Sequence, residues 1–184
     1  LKTDYKIAIL SRGYGRITHG YREITVDENA MHSGDEPLQI KNNFPDCVVA
    51  VCESRVDGMI QLITDHPEIN LVLLDDAFQH RAIRPQVNIL LTTFSKPYFK
   101  DFVLPSGNLR EPRNGIYRAE IIVISKSPAE ISENQKNEII SQINLKHKTI
   151  GFSHEVFGEL KCVTGSNKID NEALLVTGIA NSSS

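Results

Sequence analysis

Asp75 and Asp76 stand side by side after the apolar run Asn70 to Leu74. Adjacent carboxylates at a strand end suit the Mg²⁺ that bridges nucleotide phosphates, although one of them could equally cap the next helix while the other is solvated. Ala77-Phe-Gln-His-Arg81 follows at once, which puts His80 and Arg81 within about a turn of the pair. A second polar cluster, Ser11-Arg-Gly-Tyr-Gly-Arg16, follows the run Ile7 to Leu10. Its backbone amides and its guanidinium groups at Arg12 and Arg16 could surround anionic oxygens, or the segment could be a plain turn. It is no dinucleotide fingerprint, because the next glycine, Gly20, comes too late. Gly34-Asp-Glu-Pro37 places Asp35 and Glu36 on a tight turn before a helix, where Asp35 either caps that helix or accepts the proton of a hydroxyl during phosphoryl transfer. Arg55 and Arg110, the latter within Leu104-Pro-Ser-Gly-Asn-Leu-Arg-Glu-Pro112, are either anion ligands or ordinary surface arginines. A phosphate-cradling GxxxxGK[ST] is missing: Lys126-Ser127 and Lys148-Thr149 lack the preceding glycine.

The elements that must position these residues are legible as short apolar runs at Ile7–Leu10, Cys47–Val51, Asn70–Leu74, Val87–Leu91, Ile121–Ile124 and Leu174–Thr177. They do not alternate, so strands covered on both faces are expected. Helical patterns lie between them at Glu36–Asn43, Ser54–His66 and Ser132–Ile143, the last with an N-cap serine. Strands alternating with helices predict one parallel α/β sheet, with ligands collected at the carboxyl ends of its strands. Tyr21 to Val26 alternates and reads as a peripheral strand, and Phe94 to Arg118, rich in Pro, Gly, Lys and Arg, as a long functional loop. A shift near Thr149 to Gly165 divides the chain into a core, 1–150, and the truncated start of a smaller α/β domain, 151–184. The chain opens on Leu1, not on a methionine, and runs straight into a strand, so a fragment entered in mid-fold is expected.

Composition narrows the classes. At 184 residues, 40% hydrophobic and 23% charged, the chain is long enough for a core and fits neither disorder nor coiled coil. A net charge of -3 with no long basic run argues against nucleic acid as a partner. Cys47, Cys52 and Cys162 lack CxxC spacing and read as small buried hydrophobes in a reducing compartment. No run approaches the roughly 18 apolar residues of a membrane span.

Taken together, Ser11 to Arg16, Gly34 to Pro37, Asp75 to Arg81, Leu104 to Pro112 and Glu120 to Lys126 resemble, in order and spacing, the tetraacyldisaccharide 4′-kinase family of lipid A biosynthesis. The resemblance covers nearly the whole chain. It implies a P-loop-kinase-like, mostly parallel sheet flanked by helices, and an ATP- and Mg²⁺-dependent phosphorylation of the 4′-hydroxyl of a lipid-linked glucosamine disaccharide. That chemistry would take place at the cytoplasmic face of the bacterial inner membrane, whose surface the full-length protein contacts. Carried over by residue, it makes Asp35 the general base with Glu36 beside it, Asp75 and Asp76 the Mg²⁺ ligands, and Arg55 and Arg110 phosphate or substrate ligands. His80 falls in the active site, and Arg12, Tyr14 and Arg16 in the first strand-end loop, on the substrate side. Lys126 is placed near the nucleotide by analogy alone. The family's P-loop and membrane-associating segment would precede Leu1, and a further catalytic histidine would follow Asn181. The fragment is therefore expected to turn over little by itself. The alternative is a non-catalytic nucleotide- or sugar-phosphate-binding domain that lacks a P-loop by descent.

Overall fold

The computed structural model describes residues 4–145, 148–156 and 158. The chain divides into two units between His154 and Glu155, and every described element belongs to the first. The run Leu174–Thr177 and most of the stretch 151–184 lie outside the described residues.

Strand β1 (Ile7–Ser11) lies between β3 (Val48–Val51) and β4 (Leu71–Leu74), parallel to both, with Leu10 opposite Ala50 on one side and Leu74 on the other. Paired on both edges, β1 buries Ala8 and Leu10 completely. The short β2 (Arg22–Glu23) adds antiparallel to β3. A second sheet runs β5 (Ile89–Thr93), β6 (Ile121–Ser125), β7 (Thr149–Phe152), all parallel, with Ile122 and Ile124 of the central strand fully buried. Cys47 and Cys52 are buried thiols without a disulfide.

Helices make the crossovers. The one-turn α1 (Ala30–Ser33) and α2 (Asp35–Asn43) lead from β2 to β3, α3 (Arg55–Asp65) from β3 to β4, and α4 (Glu133–Ile143) from β6 to β7. Ser54 caps α3 by accepting from the Asp57 amide, and Leu62 drives its burial, a side chain whose transfer from water contributes about 1.5–3 kcal/mol. Gly58 lets α3 close on the sheet, since a Cβ there would come 2.7 Å from that of Cys52. Ser132 and Gln135 form a reciprocal capping box on α4.

The parallel α/β architecture expected from the sequence is present, with differences of detail. Among the described residues there are two sheets, not one, because β4 and β5 do not pair. The fifth apolar run starts its strand at Ile89, not Val87, since the Glu120 carboxylate takes the Asn88 amide at 2.6 Å and the ladder begins beyond it. The peripheral strand shrinks to Arg22–Glu23, because Glu28 draws the chain into a turn, its amide donating to the Thr25 carbonyl and its carboxylate pairing with Arg22. Leu73, Ile89 and Leu91 are exposed, so β4 and β5 are not covered on both faces.

His66 follows α3 and links it to β2: its Nε2 lies 2.9 Å from Glu23 and its Nδ1 3.4 Å from Glu68. The hydrogen bond to Glu23 and the two carboxylates raise its pKa above the ordinary 6.5 against a partial burial that opposes them. This contribution to stability is therefore complete below pH 6.5 and is lost as pH rises through the higher folded value. Melting curves should show wild type above His66→Gln in Tm on the acid side, with the gap closing as pH rises. A gap constant across pH would reduce His66 to a packing residue.

Candidate active site

The register that sets Leu10 against Leu74 makes their successors, Ser11 and Asp75, neighbours at the carboxyl end of the sheet. The Asp75 amide donates to the Leu10 carbonyl, and the Ser11 hydroxyl donates to Asp75 Oδ2, both at 3.0 Å. Asp76 takes a left-handed turn, φ 42°, and its carboxylate emerges into solvent. There Arg110 Nη1 donates to both of its oxygens, at 3.0 and 2.8 Å, which raises the guanidinium pKa further. An ion pair this exposed contributes about 0–1 kcal/mol, too little for stability to account for it. Among the described residues no three His, Cys, Asp or Glu side chains cluster for a metal. Two carboxylates and a hydroxyl are nevertheless an all-oxygen donor set, which suits a cation that keeps water and phosphate among its ligands.

The other residues expected around this end divide into two kinds. Arg12 and Tyr14 project outward, Tyr14 at 89% exposure. Arg16 turns inward: its side chain is 1% exposed and donates to Glu53, to the Gly20 carbonyl and to Thr18. Arg55 is buried as well, with Nη1 donating to the Cys52 carbonyl at 2.9 Å and Nη2 to that of Asp75 at 3.4 Å. Desolvation and the nearby Arg12 lower its pKa. Both were expected as ligands, and both turn their Nη donors to the protein, while each Nε is buried without a partner among the described residues. Asp35 and Glu36 are exposed in the first turn of α2. The N-cap is Gly34, at φ 89°, with no side-chain cap bond, so the Asp35 carboxylate performs no capping. Among the described residues it makes no hydrogen bond.

Arg110 reaches Asp76 from the long segment after β5, which Asp101 organises. Its buried carboxylate accepts from the Phe102 amide at 2.8 Å and from Asn108 through backbone and side chain, which with Asn108 foremost lowers its pKa. Glu111, next to Arg110, accepts from Arg118 at 2.7 and 3.0 Å and from Arg81 at 3.3 Å. Arg118 in turn stacks on Phe78 at 4.6 Å and donates to its carbonyl. The Ala77–Arg81 loop and the Leu104–Pro112 loop are thereby tied together. Asp76, Arg110, Lys96, Asp101 and Ser125 line an open cleft of about 400 Å³. His80 is half-buried, its Nε2 without a hydrogen bond among the described residues. Lys126 follows β6 in a left-handed conformation, φ 53°.

Ser11, Glu53 and Glu111 belong to this region and are not singled out by sequence reasoning. Ser11 could be found by extending a parallel register from the Leu10 and Leu74 runs. Glu53 and Glu111 act through folded contacts across the chain, and no local pattern marks them.

Parallel strands whose carboxyl ends gather paired carboxylates and arginines define an α/β protein with its ligand chemistry at the strand ends. The chain belongs to the tetraacyldisaccharide-1-P 4′-kinase (LpxK) family, whose sequence model matches residues 1–184. It is 42% identical over 180 residues to the tetraacyldisaccharide 4′-kinase of Cytophaga hutchinsonii, covering 96% of this chain and 51% of that protein. To the same-named protein of Bacteroides fragilis it is 38% identical over 193 residues, covering 98% and 51%. The crystal structure of LpxK from Aquifex aeolicus in complex with ATP superposes with a TM-score of 0.67 at 30% identity, covering 81% of this chain and 44% of that one. The chain thus spans about half the length of the curated relatives it matches.

Replacing Glu111 by Gln should loosen the two loops it joins, since two arginines lose their counter-charge. The expected cost is about 1–3 kcal/mol in Tm-derived stability, seen with earlier proteolysis in Phe94–Arg118. Unchanged proteolysis would show that Asp101 alone holds the segment.

Proposed function

We propose that the whole protein transfers the γ-phosphoryl group of ATP to the 4′-hydroxyl of a tetraacylated glucosamine disaccharide 1-phosphate, a lipid A precursor. The observation that carries this reading is Asp35, an exposed carboxylate at the head of α2 with no capping duty, on the loop cluster beside the Asp75–Asp76 end of the sheet. Family membership and the ATP bound to the Aquifex protein support the nucleotide.

In this reading Asp35 accepts the proton of the 4′-hydroxyl as the oxygen attacks phosphorus, with Glu36 beside it. Asp75 and Asp76 hold Mg²⁺, which when bound neutralises charge on the phosphates. Ser11 orients Asp75 through its hydroxyl, and Arg110, held at Asp76, is placed to meet developing phosphate charge. Arg12 and Tyr14 face the substrate, whereas Arg16 and Arg55 brace the loops that carry these groups. His80 lies in the site with a ring nitrogen that has no partner among the described residues, and Lys126 stands on the nucleotide side. No nucleic acid takes part.

The phosphate cradle that these residues lack is assigned to the remainder of a protein about twice as long. The outer edge of β4, unpaired among the described residues, and the exposed Ile89 and Leu91 of β5 support a further strand and helix at that place. We assign the work to the cytoplasmic face of the inner membrane, with the protein bound peripherally, and residues 151–184 to the start of a second, smaller domain. None of the described helices is long and apolar enough to cross a membrane.

In the whole protein, Asp35→Asn should lower kcat by about 10²-fold or more with small changes in KM and Tm, because the lost interaction belongs to the transition state. Retained kcat would remove Asp35 as base and turn the search to Glu36 and His80. Asp75→Asn and Asp76→Asn, assayed at saturating Mg²⁺, should each lower kcat by orders of magnitude while the fold persists. Near-normal kcat in both would remove the metal assignment.

A further inference from the structure

We propose that Glu53, acting through the buried guanidinium of Arg16, is a positioning residue that sets the place of Asp35; the inference rests on the reading of Asp35 as the base. Glu53 stands two residues beyond the end of β3, next to the buried Cys52, so it is anchored to one of the most buried strands of the sheet. Its Oε1 accepts from Arg16 Nη2 at 2.7 Å and its Oε2 from the Gly20 amide at 3.0 Å. The same Nη2 donates to the Gly20 carbonyl, so one carboxylate closes the loop from Arg16 to Gly20 at both ends.

The loop then leans on the acceptor side of the site. Gly13 rests on the Arg16 side chain: a Cβ there would come 2.6 Å from Arg16 Cδ, at a φ of +70° that disfavours any other residue. Gly34, immediately before Asp35, rests in turn on this segment, its would-be Cβ 3.2 Å from the Tyr14 carbonyl oxygen and 3.4 Å from Gly13 Cα. Thr18 and Ile17 fasten the far side of the loop to α1 through the His32 and Met31 carbonyls. Glu53, Arg16, Gly13 and Gly34 therefore form an unbroken line of contacts that ends at Asp35.

Charge makes this line stiff. Arg16 is a cation with almost no access to water, its Nε has no hydrogen-bond partner among the described residues, and Glu53 is its counter-charge. Without Glu53 the guanidinium must move to find water, and Gly13 must move with it.

A double-mutant cycle in the whole protein tests this. Glu53→Gln should lower kcat about tenfold with KM for ATP unchanged, the size expected from displacing a reacting group. In an Asp35→Asn background the same substitution should change the residual kcat by less than about twofold, because the group it positions is already gone. Circular dichroism establishes that both variants are folded. Equal loss in the two backgrounds, or no loss beside wild-type Asp35, overturns the proposal. The Asp35→Asn single variant reports separately on the base: if it keeps kcat, the base reading has failed, and positioning through Asp35 falls with it. Should Glu53→Gln not fold, Arg16→Lys, which keeps the charge and loses the fork, is read in the same two backgrounds with the same outcomes.

Discussion

The parallel pairing of β1 with β3 on one side and β4 on the other is the constraint on which the remaining structure depends. Because all three strands run the same way, the chain leaves each of them at the same end, and Ser11, Cys52 and Asp75 emerge there side by side. Hydrogen bonds confirm the closeness: the Cys52 amide donates to the Ser11 carbonyl at 3.0 Å, and the Ser11 hydroxyl to the Asp75 carboxylate. Had any of these strands been antiparallel, its polar successor would stand at the opposite edge. The apolar runs carry this chemistry only indirectly, by burying β1 so thoroughly that the register cannot slip without exposing Ala8 and Leu10.

That logic explains which parts of the molecule could be read from sequence. Continuous apolar runs, an N-cap serine at position 132 and helical spacing between strands all report local physics, and β1, β3, β4, β6, α3 and α4 fall within a residue or two of their expected places. Sheet assembly is not local. Nothing within Asn70–Leu74 or Val87–Leu91 says that these strands stay unpaired with each other, or that a side chain from Glu120 delays the second of them. The peripheral strand failed for a related reason: alternation between Tyr21 and Val26 is genuine, yet the turn made by Glu28 ends the ladder after two residues.

At the site, residue type was legible and direction was not. Arg12 and Arg16 share one short motif, and only the fold distinguishes the exposed guanidinium from the buried one. Arg16 finds Glu53 across more than thirty positions of chain, and Arg55 finds the Asp75 carbonyl across twenty. A motif of arginines thus contains two functions, of which one makes contact with solvent and the other holds the loop. Asp35 shows the converse. Its position before a helix suggested a cap as readily as a base, and the cap is set aside by its neighbour Gly34, whose positive φ lets the backbone itself begin the helix.

Rigidity at this end of the sheet is therefore distributed unequally, and the inequality has a chemical sense. The buried guanidinium of Arg16 with the exposed Glu53, and the half-buried Glu111 with its arginines, hold the loops, and the desolvation of Arg16 makes its pairing costly to disturb. The carboxylates and arginines that face outward, Asp35, Asp76, Arg12 and Arg110, are, among the described residues, either unpaired or joined by an exposed ion pair that contributes little. The pair of Asp76 and Arg110 can open without unsettling the fold, because neither helps to hold it. The contacts at this end that are free to change are thus separate from those that keep the loops in place.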